Sequence, residues 1–484
     1  MKTKFVILGL AAIFWGCNSV DMQPDLKMDS ELSIAEFVEP APDSIVVNSY
    51  EVDRVVSKYL AANNYSPKMS RSASMESISN DKGEACAHVI NFGNDQGFMV
   101  VSATKQFQPV IAYSDNGSFD IDNLPEGVEV WKDNIVSFIS SPETLDPDSI
   151  KAFRQMWRQF EKQSFAPNQS RAEGDGHGYI PQADWDYIHS IIKAQHMEWS
   201  GLQYEVYTLD ELEQVMPERY EQYNDLARSS IWVEYEEGYK DLTLVVFKYT
   251  SNVTGGYMLK SRWHQFGNFN QSYQIAYNPE HTLSGPAAAG CGPVALGQIF
   301  YYHKYPYNLN WNDMDPYTAN KTTSDFLYSI ALAANADFGL YATSVNQNGI
   351  RNALNTFNYT YSFDNNTSTV RRNASSSLDN KYPVFVATVK TGESVGHAWV
   401  LDGYQVYNNH DEVEVWSCRD KRRFEPIYSE STQSSYAFYH VNWGWDEKGT
   451  YNGYYKDWTT LIMGSTHDAI NGRVSYIYYN IKPN

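Results

Sequence analysis

The run Ser284-Gly285-Pro286-Ala287-Ala288-Ala289-Gly290-Cys291-Gly292-Pro293 carries no bulky side chain, and it leads directly into Val294, Ala295, Ile299 and Tyr302, which recur at helical spacing. Few folds accept such a run. It predicts a loop whose backbone another chain can approach closely, opening into a core-facing helix. Pro293 suits the first turn of that helix, where its missing N–H costs nothing. Cys291 then stands at or just before the positive end of the helix dipole, beside unpaired backbone N–H groups, and such a setting lowers a thiol pKa from about 8.5 toward neutrality. A buried structural cysteine opening an ordinary core helix explains the same segment equally well.

A nucleophilic thiol needs a base. His397 has the best local setting among the 11 histidines: Gly396 precedes it, and a short apolar run of strand-like residues follows, closed by the turn pair Asp402-Gly403. Downstream, Phe438-Tyr439-His440-Val441-Asn442-Trp443-Gly444-Trp445 has the same strand character. Asn442 is expected to accept the ring N–H of His397 and fix its tautomer, with Trp443 shielding that bond from water. The plainer alternative is a satisfied core histidine beside a strand end. His303 and His440 lie close to these motifs, and their aromatic neighbours point to packing roles.

Together these segments resemble the streptopain family of cysteine peptidases. The resemblance rests on Gly290-Cys291 followed by Ala295, Gln298-Ile299 and Tyr302-His303-Lys304-Tyr305-Pro306, on Gly396-His397-Ala398, and on His440 to Trp445, all in the family's order. Trp263-His264-Gln265 looks like the family's segment upstream of the nucleophile. The resemblance implies an α+β, papain-like fold, in which a helix carrying the cysteine packs against an antiparallel sheet carrying the histidine and asparagine. It also implies that Gln265 donates to the oxyanion, with the Cys291 N–H as second donor. Two departures stand out. Gly292-Pro293-Val294 replaces the family's usual run after the cysteine, and a polar, charged stretch between Gly403 and Tyr439, including Arg419 to Arg423 and Ser429 to Ser435, is longer than the family's connection. A long surface loop is its simplest reading.

The amino terminus reads as an address. Lys2 and Lys4 precede an apolar run over 5–15, then Gly16-Cys17, and the chain turns polar and acidic from Asp21. This is the layout of a signal peptide (1–16) ending at a lipid-modifiable Cys17, with a tether over 17–29, and it predicts a lipoprotein of the bacterial cell envelope whose membrane contact is its lipid anchor. Lipidation of Cys17 leaves Cys86, Cys291 and Cys418, an odd number for an oxidising compartment, so at least one thiol is expected to stay unpaired. Cys291 is assigned that role, and a Cys86–Cys418 bridge is possible without being favoured.

Residues 30–164 combine an amphipathic segment over 52–60 with strand-like runs over 87–92, 97–103 and 110–114, a small α+β domain. Its Gly-Phe-Met-Val-Val-Ser and Ile-Ala-Tyr-Ser segments resemble the inhibitory prodomain of the same family, which implies a zymogen whose own prodomain is its intramolecular inhibitor. A turn-rich linker over 165–177 offers a cleavage site, with Arg171 or a neighbour at the cut. Residues 178–257 form an insertion of unassigned role, with helical 211–228 and strand-like 242–249, and 258–484 form the peptidase domain. A formal charge of -21 argues against nucleic acid as a partner. No cofactor is expected, and no metal either, since His-x-His and His-Glu-x-x-His spacings are missing from the sequence.

The expected activity is therefore an endopeptidase acting on protein or peptide substrates through Cys291, His397, Gln265, Asn442 and Trp443. Two alternatives stand beside it: a catalytically silent peptide- or glycan-binding lipoprotein on a peptidase scaffold, and a thiol amidase acting on cell-wall peptide.

Overall fold

The computed structural model describes residues 45–62, 73–142, 147–158, 203–208, 243–278, 283–390, 396–420, 423–445, 451–456 and 473–484, less single positions within these spans, together with Phe5–Ile7 and a few isolated residues. The signal-peptide cysteine Cys17, the tether, the linker over 165–177 with Arg171, and nearly all of the expected helix over 211–228 lie outside them.

The amino-terminal part begins with strand β1 (Phe5–Ile7) and helix α1 (Ser49–Ala62). Asn48 and Glu51 close a reciprocal cap on α1: the Glu51 N–H donates to Asn48 Oδ1 at 2.9 Å, and the Asn48 N–H donates to Glu51 Oε2 at 3.0 Å. Four strands follow, β2 (Ala73–Ser79), β3 (Ala85–Asn91), β4 (Phe98–Ser102) and β5 (Val110–Ser114), then α2 (Glu126–Ser140) and α3 (Pro147–Arg158). The predicted small α+β arrangement is present. Strand β4 is buried at every position because both its faces are covered: Phe98 and Val100 face one core, Met99 and Val101 the other.

The carboxy-terminal part places the thiol-bearing helix α4 (Cys291–His303) after a two-stranded hairpin, β8 (Ile275–Asn278) and β9 (Leu283–Pro286). Helices α5 (Lys321–Ala333) and α6 (Gln347–Thr356), strand β10 (Tyr359–Asp364) and helix α7 (Val370–Asp379) follow. The sheet strands are β11 (Val384–Lys390), β12 (Gly396–Asp420), β13 (Arg423–Asn442), β14 (Gly453–Lys456) and β15 (Arg473–Pro483). Val294, Ile299 and Phe300 of α4 pack with Phe326, Ile350 and Tyr478 over one sheet face. Alternation along β12 then sorts its side chains: Ala398 and Val400 face α4, while Trp399 and Leu401 face the opposite side.

Among the described residues, both parts share one 13-stranded sheet, eleven strands of which run in the order β1-β2-β3-β4-β5-β14-β13-β12-β11-β15-β10, the other two joining at β12. The join is antiparallel pairing of β5 with β14, Tyr113 opposite Tyr454 and Ala112 opposite Tyr455. One hydrophobic core also spans the join, with Val100 and Trp131 from the amino-terminal part packed with Trp399, Leu401 and Trp443. The result is an α+β fold with helices on the faces of an antiparallel sheet.

Two sequence readings are corrected here. The polar stretch after Gly403 is no surface loop: it is the long hairpin of β12 and β13, and strand β7 (Thr243–Tyr257) pairs along it, with β6 (Gln203–Thr208) at the outer edge. Thus the unassigned insertion and the polar stretch build one arm. Among its described residues, Lys248 and Glu414 are buried. Lys248, fully buried, reaches Glu414 at 2.7 Å and Glu412 at 3.5 Å across the strand pair, while Val413 and Val415 point to the opposite face with Val245 and Tyr223. Likewise Asp402-Gly403 is no turn. The register between β12 and β13 shifts there, leaving Asp402 as the extra residue of a bulge, and a Cβ on Gly403 would lie 2.0 Å from Gly256 O.

Candidate active site

Helix α4 begins at Cys291 because Gly290 turns the chain with φ 86, a conformation open to glycine. No other residue fits there, since a Cβ on Gly290 would lie 2.8 Å from Thr343 O. The preceding alanines are fully buried and fastened on both sides: the Ala288 N–H donates to Gly339 O at 2.9 Å, and the Ala289 N–H donates to Gln265 O at 2.8 Å. That second bond sets Gln265 beside the loop that presents Cys291. The Gln265 side chain is buried beside that loop, and an amide there can donate to an external acceptor. Cys291 itself is half-buried, forms no disulfide, and stands within electrostatic reach of Tyr476, whose hydroxyl is pushed well above its usual range by burial, Tyr478 and Cys291. Cys86 is buried and also forms no disulfide.

His397 is the second residue of β12 and lies opposite Thr388 of β11. Its parity is that of Trp399 and Leu401, so its ring lies on the face shared with the amino-terminal part, stacked on Trp399 (6.0 Å, 20°) and Trp443 (6.2 Å, 30°). The ring Nε2 is 3.2 Å from Trp443 O. A carbonyl only accepts, so Nε2 carries the proton and Nδ1 is the basic nitrogen. Burial drives the His397 pKa down to about 4, with the Trp443 carbonyl pulling weakly the other way. The imidazole is therefore neutral in this state, and Cys291 is not among its partners.

The expected Asn442–His397 bond is absent, which corrects the role assigned to Asn442. Asn442 Nδ2 donates to Ser261 O (2.8 Å) and Gln298 Oε1 (3.1 Å), and its Oδ1 accepts from Gln298 Nε2 and the Gly444 N–H (both 3.1 Å). With two N–H groups and two lone pairs engaged, nothing remains for the imidazole. Trp443 supplies the orienting acceptor instead, through its backbone carbonyl. Its own N–H is held by Asn452 Oδ1 at 2.8 Å.

Gly127, at the start of α2, is a site residue that sequence reasoning misses. A Cβ there would lie 2.4 Å from His397 Cδ2 and 2.9 Å from Trp443 Cζ3, so the helix backbone is pressed onto the imidazole and indole. A glycine in the first turn, after Pro125 and Glu126, was the available signal of a close approach. The other two histidines near the motifs are structural. His303 Nε2 donates to Ile481 O at 3.0 Å, and His440 Nδ1 pairs with the bulge residue Asp402 while its ring stacks on Tyr257 at 4.1 Å.

Two family models match the chain: the Spi protease inhibitor over residues 45–138 and the peptidase C10 family over 307–455. The second span contains His397, Asn442 and Trp443 and begins after Cys291 and Gln265. No curated protein matches the chain. Among solved structures, a fragment of prointerpain A from Prevotella intermedia is similar at 14% identity, over 83% of this chain and 97% of that one, with a TM-score of 0.42. Active interpain A cysteine protease of the same organism is similar at 16% identity over 46% of this chain and 93% of that one, with a TM-score of 0.33.

Proposed function

We propose, from the premise that this chain belongs to the peptidase C10 family of cysteine peptidases, the streptopain family, and carries a Spi-type inhibitor domain ahead of it, that Cys291 and His397 form the catalytic dyad and are held apart until that domain leaves. The carrying observation is Gly127: a backbone segment of the inhibitor domain lies in contact with the one imidazole that the motifs single out.

In the released enzyme, His397 turns Nδ1 toward Cys291 at the start of β12. Its ring lies on the sheet face opposite α4 and it is the second residue of the strand, so the turn loosens the pairing of Gly396 with Val389 and of His397 with Thr388 while the rest of β12 stays paired. Nδ1 takes the thiol proton, and the helix end stabilises the thiolate. The thiolate attacks the substrate carbonyl carbon, while the Gln265 amide and the Cys291 N–H donate to the oxyanion. The imidazolium then gives its proton to the departing amine. Water attacks the thioester with the same base, and acid and thiol are regenerated.

Export by a leader over 1–16 and lipid anchoring through Cys17 in the bacterial cell envelope complete the proposal. Both are supported by the basic, apolar and Gly16-Cys17 pattern. The test uses the full chain after self-processing, with casein as substrate. Turnover is expected to vanish in Cys291→Ala and to fall at least about a thousandfold in His397→Ala. Retention of casein cleavage in Cys291→Ala would overturn the reading, and mass spectrometry of the amino terminus reads the acyl modification of Cys17.

A further inference from the structure

The reacting groups come from three distant segments: Cys291 on α4, Gln265 on the strap after Trp263, and the Trp443 carbonyl after β13. One buried side chain touches all three. Gln298 lies two helical turns below Cys291 and is wholly inaccessible to solvent. Its Oε1 accepts from the Trp263 N–H at 3.2 Å, two residues before Gln265, and from Asn442 Nδ2 at 3.1 Å, one residue before Trp443. Its Nε2 returns a bond to Asn442 Oδ1 at 3.1 Å. Asn442 extends the knot to Ser261 O and the Gly444 N–H, and Gly444 in turn lies against α4, where a Cβ would stand 3.1 Å from Val294 Cγ1.

We infer that the Gln298–Asn442 amide pair positions the catalytic groups, fixing the oxyanion donor and the histidine's acceptor at a set offset from the thiol; the inference rests on the peptidase reading above. Packing alone leaves such offsets loose. The strap carrying Gln265 and the turn carrying Trp443 both approach α4 through backbone atoms, and amide hydrogen bonds, being directional, define their register along the helix axis. Reciprocal bonding also fixes which way each amide faces, because reversing Asn442 would set its Nδ2 against the Gly444 N–H and its Oδ1 against Ser261 O. A misplacement of about 1 Å at a reacting group costs on the order of a hundredfold in rate. The pair therefore acts on turnover through other residues, without touching substrate.

The test compares Gln298→Met with the double variant Gln298→Met/Asn442→Leu, in which both amides are replaced by apolar groups of similar shape and neither is left unpaired. Casein turnover per titrated active site and the pH profile of Cys291 alkylation by iodoacetamide are measured on the processed enzyme, and thermal unfolding on the full chain. The expected result is a lowered melting temperature in both variants, because the Trp263 and Gly444 N–H groups and Ser261 O lose their partners, with kcat per titrated active site lowered on the order of a hundredfold and KM within about threefold. Alkylation at acidic pH is expected to slow about tenfold as the imidazole loses its fixed acceptor. Parent-like kcat and alkylation in both variants, whatever happens to stability, would overturn the inference and leave the pair a packing feature. Parent turnover indifferent to Cys291→Ala would overturn the peptidase reading instead, and the alkylation profile then still decides for or against the amide pair.

Discussion

The sheet of the inhibitor domain is buried on both faces, and the two faces are built from different chemistry. Toward His397 the contact is indole and aliphatic: Phe98, Val100 and Trp131 pack with Trp399, Leu401 and Trp443. Toward the arm, hydrogen-bonded phenols join Trp157 and the aliphatic residues Val52, Val55 and Val101. Tyr59 and Tyr407 share a hydroxyl–hydroxyl hydrogen bond, the Tyr407 hydroxyl donates to Tyr113 at 3.1 Å, and Tyr113 donates to Gln405. Burial pushes the Tyr59 and Tyr113 hydroxyls well above their usual range, so this face is held by neutral hydrogen bonds. Water can replace a phenol's partner; it also meets the indole N–H groups of Trp131, Trp399 and Trp443, which lack one among the described residues, but it cannot replace the large apolar contact of their rings. On that ground the arm face is expected to open at lower cost than the face that covers His397.

Four measurements can break or sharpen that contrast. Trp131 is fully buried and sets its ring edge-on to Tyr455 at 5.0 Å, so Trp131→Ala is expected to destabilise the full chain by about 3–5 kcal/mol. Denaturant unfolding of the Cys291→Ala chain reads this, and a loss near 1 kcal/mol would mean that the indole face is not the stronger one. Acid comes next. With His397 held near 4 when docked and at an ordinary 6.5 when free, the docked form binds fewer protons between those values, so docking is strongest above pH 6.5 and weakens toward pH 4. The slope is at most about 1.4 kcal/mol per pH unit, visible as faster hydrogen exchange of β4 and β5 amides, and it should disappear in His397→Gln.

Gly127→Leu forces a side chain onto the two rings, at a cost of about 1–3 kcal/mol to docking. The zymogen should lose its activation lag, followed with a fluorogenic peptide, while the melting temperature of the arm stays put. An unchanged lag would show that latency does not run through this contact. The smallest effect is expected on the phenolic face: Tyr407→Phe removes a hydroxyl and costs about 1 kcal/mol, a few-fold in the rate of undocking. If it exceeds Gly127→Leu in undocking rate, the two faces have been ranked in the wrong order.

The sequence shows where chemistry sits better than how it is wired. Cys291 is legible because small residues before a helix have few other uses, and His397 because a glycine and an apolar run define a strand start. The Asn442 role is not legible: whether an imidazole takes a side-chain oxygen or the next residue's carbonyl depends on Gln298, whose reach across 144 positions of sequence leaves no local mark. The arm hides for another reason. Lys248, Glu412 and Glu414 neutralise one another inside a sheet, so their composition reads as solvated loop until the pairing of β7 with β12 is known. Asp402-Gly403 has turn chemistry and is used to make a bulge, which needs the same missing Cβ.

Strand β14 has four residues, and its free side is occupied by β5. When the inhibitor departs, the edge of β14 that β5 covered becomes a rim that an extended peptide can join. The mature enzyme thus inherits a sticky seam. Its shortness limits how firmly a stranger chain can zip onto it, and the detached inhibitor, whose matching border was shaped for that seam, remains the best-fitting occupant until it is digested or diluted away.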